Sequence, residues 1–218
     1  MKRTMLAVVV MVGVSMAVGW AMRRHRKPAD PPQGQFDYYV LALSWAPNYC
    51  AGHPNDHSRE CTIGQQANFV LHGLWPQANE GSSPIRCAPA PPVSHAIVRH
   101  MLEYYPSRGL VQHEWRQHGV CSGVPASEYF DQVEQALNSV KIPDQYRNLQ
   151  RSDHLKVRDV EQSFAEANHA PPEAFHISCH AGEMVTVEAC LTKDLHYQAC
   201  TPSVRECRSP QVLMRQVQ

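Results

Sequence analysis

His113-Glu114-Trp115-Arg116-Gln117-His118-Gly119-Val120-Cys121 places two imidazoles and a carboxylate within six residues, then stops at a glycine and a cysteine. Read as a helix, each residue turns by about 100°. With His113 at zero, Gln117 falls at roughly 40°, Glu114 at about 100° and His118 at about 140°. Val111 and Trp115 fall at roughly 160° and 200°, on the adjoining apolar side. One face is therefore polar and titratable, and its neighbour can anchor the helix to a core. A zinc-protease reading fails on spacing. H-E-x-x-H holds its histidines four apart on one face, whereas His113 and His118 are five apart and diverge, which suits two separate tasks better than one metal.

A second stretch, Phe69-Val70-Leu71-His72-Gly73-Leu74-Trp75-Pro76, is an apolar run that ends on a histidine, a glycine and an indole. It reads as a buried strand delivering His72 to a surface. Together, HGLWP and HEWxxHGxC resemble the two active-site segments of the T2 family of secreted ribonucleases, the acid or Rh-type enzymes. Phe36-Asp37-Tyr38-Tyr39-Val40-Leu41-Ala42-Leu43-Ser44-Trp45-Ala46-Pro47 resembles that family's opening strand, and the segments around Cys179 and Cys190 its closing ones. The resemblance runs in family order from about residue 36 to residue 207. It implies an α+β fold: a central, mainly antiparallel β-sheet flanked by several α-helices and stapled by disulfides.

The chain has 218 residues, enough for one domain with a sizeable core. Its formal net charge of zero is unevenly spread. Residues 1–27 hold six of the twenty Lys+Arg and no acid, leaving fourteen bases against twenty acids, a net of −6, in the remainder. Such a body does not hold nucleic acid by broad phosphate neutralisation. Thirteen histidines add charge only as the pH falls.

Lys2 and Arg3 precede an apolar run from Met5 to Met22. That is long for a signal-peptide core and long enough to span a bilayer. Residues 1–27 are therefore read as a signal peptide or an N-terminal membrane anchor, 28–35 as a linker and 36–218 as the ribonuclease domain. Arg23, Arg24, Arg26 and Lys27 argue against export of the chain beyond them. Eight cysteines argue for it. The expected location is periplasmic or secreted, with tethering to the inner membrane through residues 5–22 if the segment is not cleaved.

Phe36–Pro47 reads as a central strand and residues 48–64 as a polar loop bracketed by Cys50 and Cys61. His53 and His57 lie in that loop and are read as solvated. Ser94 starts a helix that ends before Pro106. A third helix runs from a cap at Ser127 to Val140, and a fourth from Ser152 to Asn168. Phe175–Cys179 and Met184–Leu191 read as strands. His95, His100, His154 and His169 are read as surface or packing residues. Eight cysteines allow 105 pairings, and the sequence selects none. The resemblance implies Cys50–Cys61, Cys87–Cys121, Cys179–Cys207 and Cys190–Cys200.

An RNA phosphodiester carries its own nucleophile, the ribose 2′-hydroxyl. The enzyme must supply a base for the 2′ proton, an acid for the departing 5′ oxygen and donors for the phosphate oxygens. The resemblance implies His118 as base, His72 as acid, His113 on the phosphate and Glu114 as a polarising or orienting group. Trp75, Gln117 and Leu110 are the implied substrate contacts, Trp75 as a stacking wall for a base. Trp115 is read as core. The expected enzyme is a monomeric endoribonuclease needing no cofactor or metal, acting on RNA and not DNA. It would release a 2′,3′-cyclic phosphate, then a 3′-phosphate.

The sequence departs from the family at Gln117, where a lysine is usual, and at Val120, where threonine is usual. Glutamine keeps a donor and loses a charge, so a slower enzyme is expected, with Arg116 as the residue to compensate. The alternative readings are a catalytically weak RNA- or partner-binding protein on the same scaffold, and a metal-dependent hydrolase using the histidines as ligands.

Overall fold

The computed structural model describes residues 34–202, 204 and 207–218. The expected leader or anchor over 1–27 and most of the linker lie outside these residues. No helix of the described residues is long and apolar enough to cross a membrane.

The sheet is organised on β1 (Tyr38–Trp45), whose near-complete burial on both faces marks a central strand. Alternate residues serve two cores. Tyr39, Leu41, Leu43 and Trp45 enter the main core, and Tyr38 and Val40 a smaller cluster with Cys190 and Val204. β1 pairs antiparallel with β2 (Phe69–Gln77) on one side and β5 (Glu183–Leu191) on the other. β4 (Phe175–His180) also pairs with β5, and β6 (Gln211–Met214) links it to β3 (Asp153–Lys156). The sheet is α+β in class and antiparallel apart from the single β5–β6 pairing.

Six α-helices accompany it among the described residues: α1 (Ala46–Gly52), α2 (His95–Met101), α3 (Arg108–Gln117), α4 (Ala126–Ser139), α5 (Asp144–Arg147) and α6 (Val157–Asn168). Ser94 caps α2 by accepting from the Ile97 N–H at 3.3 Å. Ser107 does the same for α3 with the Leu110 N–H at 3.2 Å. Each closes one of the donors a helix start leaves open.

The local readings needed four corrections. Residues 46–52 are helical, where 46–47 were expected as strand and 48–52 as loop, because Pro47 sits at the helix start, where its missing N–H costs nothing. Pro125, not Ser127, occupies the cap position of α4. Residues 153–156 form a strand ahead of α6, drawn into the sheet by pairing with β6. β6 and the one-turn α5 were not anticipated. Asn48 holds β6 in place: its buried amide donates to Met184 O and Leu213 O and accepts from the Arg215 N–H.

Four disulfides are formed: Cys50–Cys61, Cys87–Cys121, Cys179–Cys207 and Cys190–Cys200. The second fastens the loop after β2 to the turn after α3.

Candidate active site

The site begins with an irregularity in β2. In the β1–β2 ladder Ala42 faces Gly73 and Leu43 faces Leu71, so His72 is an extra residue without an opposite number. A bulge of this kind re-aims a side chain and shifts the in–out phase of the strand. Leu71 and Leu74 consequently both reach the main core, while His72 and Trp75 come together, with ring centroids 5.3 Å apart, edge to face. Ser44, on the neighbouring strand, hydrogen-bonds His72 Nδ1 at 3.0 Å and fixes the ring's rotation.

The second segment ends on His118. α3 stops at Gln117, and His118 leaves helical geometry at φ −123°, ψ −50°, with its N–H still donating to Glu114 O at 2.9 Å. Gly119–Cys121 then forms a tight turn. A side chain at Gly119 would collide with the Trp115 ring and lie 2.8 Å from Tyr129 Cε1, so only glycine lets the chain turn there. His118 thus swings out of the helical wheel drawn for it and lies against Trp75, centroids 5.2 Å apart. Both imidazoles therefore lie against the one indole.

Glu114 ties the segments together. It is fully buried beside Val111 and Trp115 rather than on a solvated polar face. Its Oε2 accepts from Trp75 Nε1 at 2.8 Å, and its Oε1 lies 3.7 Å from His72 Nε2 with no hydrogen bond. Trp75 is therefore bonded at its polar tip and lies against both histidines. His113 is exposed and, with His72 and Leu110, lines a cavity of about 420 Å³. A larger hollow of about 860 Å³ around Lys156, Arg158, His176 and Arg208 holds none of these residues.

Burial sets the proton affinities. Loss of hydration pushes His72 down to about 4, assisted by the charge of His113. It pushes His118 down to about 3, assisted by His113 and His72. Burial likewise raises Glu114 to about 8, against the opposing bond from Trp75. His118 Nδ1 is buried without a hydrogen-bond partner among the described residues. Three titratable groups displaced this far around one ring mark a candidate functional site.

Gln117 does not stand alone. Its Oε1 accepts from Arg86 Nε at 2.7 Å and its carbonyl from the Arg86 N–H at 2.9 Å. Arg116, the residue expected to compensate, is exposed; the guanidinium that reaches Gln117 is Arg86. Ser44 and Arg86 escaped the sequence reading. A lone hydroxyl in an apolar strand was the available signal for Ser44, and no periodicity singles out a loop arginine. Trp115 is core, donating to Pro91 O. His53 stacks on Tyr49, and His100 bonds Glu134. Among the described residues no group of three His, Cys, Asp or Glu is placed to hold a metal.

Removing the Cys87–Cys121 bridge with a double serine variant is expected to cost about 3–4 kcal/mol, the entropy scale for a loop of 34 residues. Denaturant unfolding measures it, and the variant's activity should fall with its stability because the bridge borders both Arg86 and His118.

The Ribonuclease T2 family model matches residues 36–200. A ribonuclease of Aeromonas hydrophila is 38% identical over 125 residues, covering 57% of this chain and 54% of the relative. A probable ribonuclease of Haemophilus influenzae is 32% identical over 123 residues, covering 50% of this chain and 45% of the relative. The matched part spans about half the length of these relatives. The RNase-related protein from Calystegia sepium shares the fold with a TM-score of 0.67 over 84% of this chain and 98% of its own, at 21% identity. With the match to its model running from just ahead of β1 to Cys200, over more than half of the chain, the chain belongs to the Ribonuclease T2 family.

Proposed function

We propose that the chain is a metal-independent endoribonuclease that cleaves single-stranded RNA by attack of the ribose 2′-oxygen on the adjacent phosphorus. One observation carries the reading most of the way: imidazoles from segments more than forty residues apart lie against a single indole. His118 takes the 2′ proton, the 2′-oxygen bonds to phosphorus, and the bond to the 5′-oxygen breaks as His72 protonates it. The product is a 2′,3′-cyclic phosphate. Water then opens it to a 3′-phosphate with the two roles exchanged. His113 faces the phosphate oxygens, and Glu114 orients Trp75 by accepting its Nε1–H. DNA lacks the 2′-hydroxyl and is not a substrate. Four disulfides suit an oxidising compartment, and we place the working enzyme in the periplasm or outside the cell, as a monomer.

Defined RNA digested by the purified protein in excess chelator should show cyclic-phosphate ends. Binding without cleavage, or loss of cleavage in chelator, would sink the proposal.

The displaced affinities fix the pH dependence. The base works when neutral, above about 3 for His118, and the acid when protonated, below about 4 for His72. kcat/KM, which reports the free enzyme, should therefore be largest on the acid side of the usual histidine value of about 6.5 and fall as the pH rises. In kcat both limbs should move upward, because a bound phosphodiester anion favours the charged imidazoles. Rates measured against pH check this; a kcat/KM still climbing through neutrality would contradict it.

A further inference from the structure

None of the candidate site groups is a permanent cation. They are three imidazoles, a buried carboxyl, an indole and a carboxamide, facing a substrate that is a polyanion. Arg86 is the guanidinium that the fold joins to this set. It is exposed, so its attachments rather than burial hold it. Its Nε and its backbone N–H both donate to Gln117, at 2.7 and 2.9 Å. Its backbone lies in the left-handed region at φ +53°, a conformation uncommon for a residue with a side chain. The next residue, Cys87, is cross-linked to Cys121, and its N–H points at the Cys121 sulfur at 3.3 Å.

Donor chemistry orients both partners. Arginine has donors only, so Gln117 must turn its oxygen toward Arg86 and its NH₂ away. The Nη1 and Nη2 atoms of Arg86 take no hydrogen bond or ion pair among the described residues, leaving one edge of the planar fork open. That edge matches a phosphate's two oxygens. Gln117 lies one helical turn after His113 on the same face and precedes His118. Through its bonds to Gln117, Arg86 is tied to the last turn of α3, at a residue between His113 and His118 in the chain.

We propose that Arg86 binds the RNA phosphate next to the scissile one, a subsite that gives an acidic protein a local hold on the strand. The inference rests on the ribonuclease reading. It explains how a body with fourteen bases against twenty acids outside residues 1–27 grips a polyanion at all.

The test compares the wild type with Arg86→Ala, Arg86→Gln and Arg86→Lys on two substrates. One is a dinucleoside monophosphate, which has the scissile phosphate alone; the other is a trinucleotide with one cleavable ribose and one flanking phosphate. At low salt, Arg86→Ala and Arg86→Gln should lower kcat/KM about five- to tenfold on the trinucleotide, the scale of one exposed charge-assisted contact. The loss on the dinucleotide should be at most about twofold, and Arg86→Lys should recover only part of the trinucleotide loss, since an ammonium keeps the charge without the two-pronged fork. Binding of an uncleavable all-deoxy oligonucleotide, followed by fluorescence anisotropy, should lose about 0.7 from its log–log salt slope, one single-strand phosphate. Equal losses on both substrates, or an unchanged salt slope in Arg86→Gln, overturn the proposal and reduce Arg86 to orienting Gln117. If the wild type cleaves neither RNA, the ribonuclease reading fails, and the deoxy-oligonucleotide slope still decides whether Arg86 binds phosphate.

Discussion

His118→Ala should lower kcat on RNA by about 10²–10⁴-fold, the usual worth of one positioned proton-transfer group, with a much smaller change in KM. His72→Ala should lose a similar factor. A substrate whose leaving group is already a good one separates the two. A nucleoside 3′-phosphate ester of nitrophenol needs no proton on the departing oxygen. It should restore most of the rate to His72→Ala and little to His118→Ala, because the 2′-hydroxyl still has to be deprotonated. Combining both substitutions should cost less than the product of the single losses, since the groups act on one transition state. Rescue of His118→Ala instead would exchange the two roles. Rescue of neither would mean that the rings position the phosphate rather than move protons.

Gly73→Ala carries the second large effect, and it arises without removing any titratable group. A β-carbon built on Gly73 lands on Glu114 Oε2 and 2.6 Å from Trp75 Nε1, the two ends of the hydrogen bond that spans the segments. Neither neighbour can yield easily. Glu114 is fully buried, and the indole lies against both imidazoles. Overpacking costs about 1–3 kcal/mol, and a buried carboxyl left without its donor about as much again. The variant should lose about 2–4 kcal/mol in denaturant unfolding. Because misplacing a catalytic group by an ångström costs about 10²-fold, kcat should fall by at least about that factor. Gly52→Ala is the control, since a β-carbon there meets nothing within 4 Å. Its stability and rate should stay near wild type. A fully active Gly73→Ala would show that the Trp75–Glu114 bond is dispensable.

Much of this architecture was legible because its signals are local. Alternation in Tyr38–Trp45 and the serine ahead of α2 announce elements whose stability is decided within a few residues. The two histidine segments stood out as a candidate site through the motifs they share with the family, and the fold brings His72 and His118 to one indole. What could not be read depends on partners distant in the chain. Asp153–Lys156 and Gln211–Met214 are strands because they pair with each other and the second also with β5, a fact carried by neither segment alone. The helical wheel misplaced His118 by assuming that the helix continued. Gly119, crowded by Trp115 and Tyr129, ends it one residue earlier. The wheel also set Glu114 among exposed polar groups, where tertiary packing buries it. Arg86 was invisible for the same reason, since its meaning lies in a bond to a residue thirty-one positions away.

The unmatched residue in β2 sets a boundary for anyone wishing to harden this protein. Regularising that strand would favour the ladder and would appeal to any protocol that rewards well-paired backbone. Yet restoring the phase would carry Trp75 to the opposite side of the sheet and strand Glu114 without its donor. Gains in robustness should be sought at the surfaces of α4 and α6, leaving the misfit in the second strand untouched.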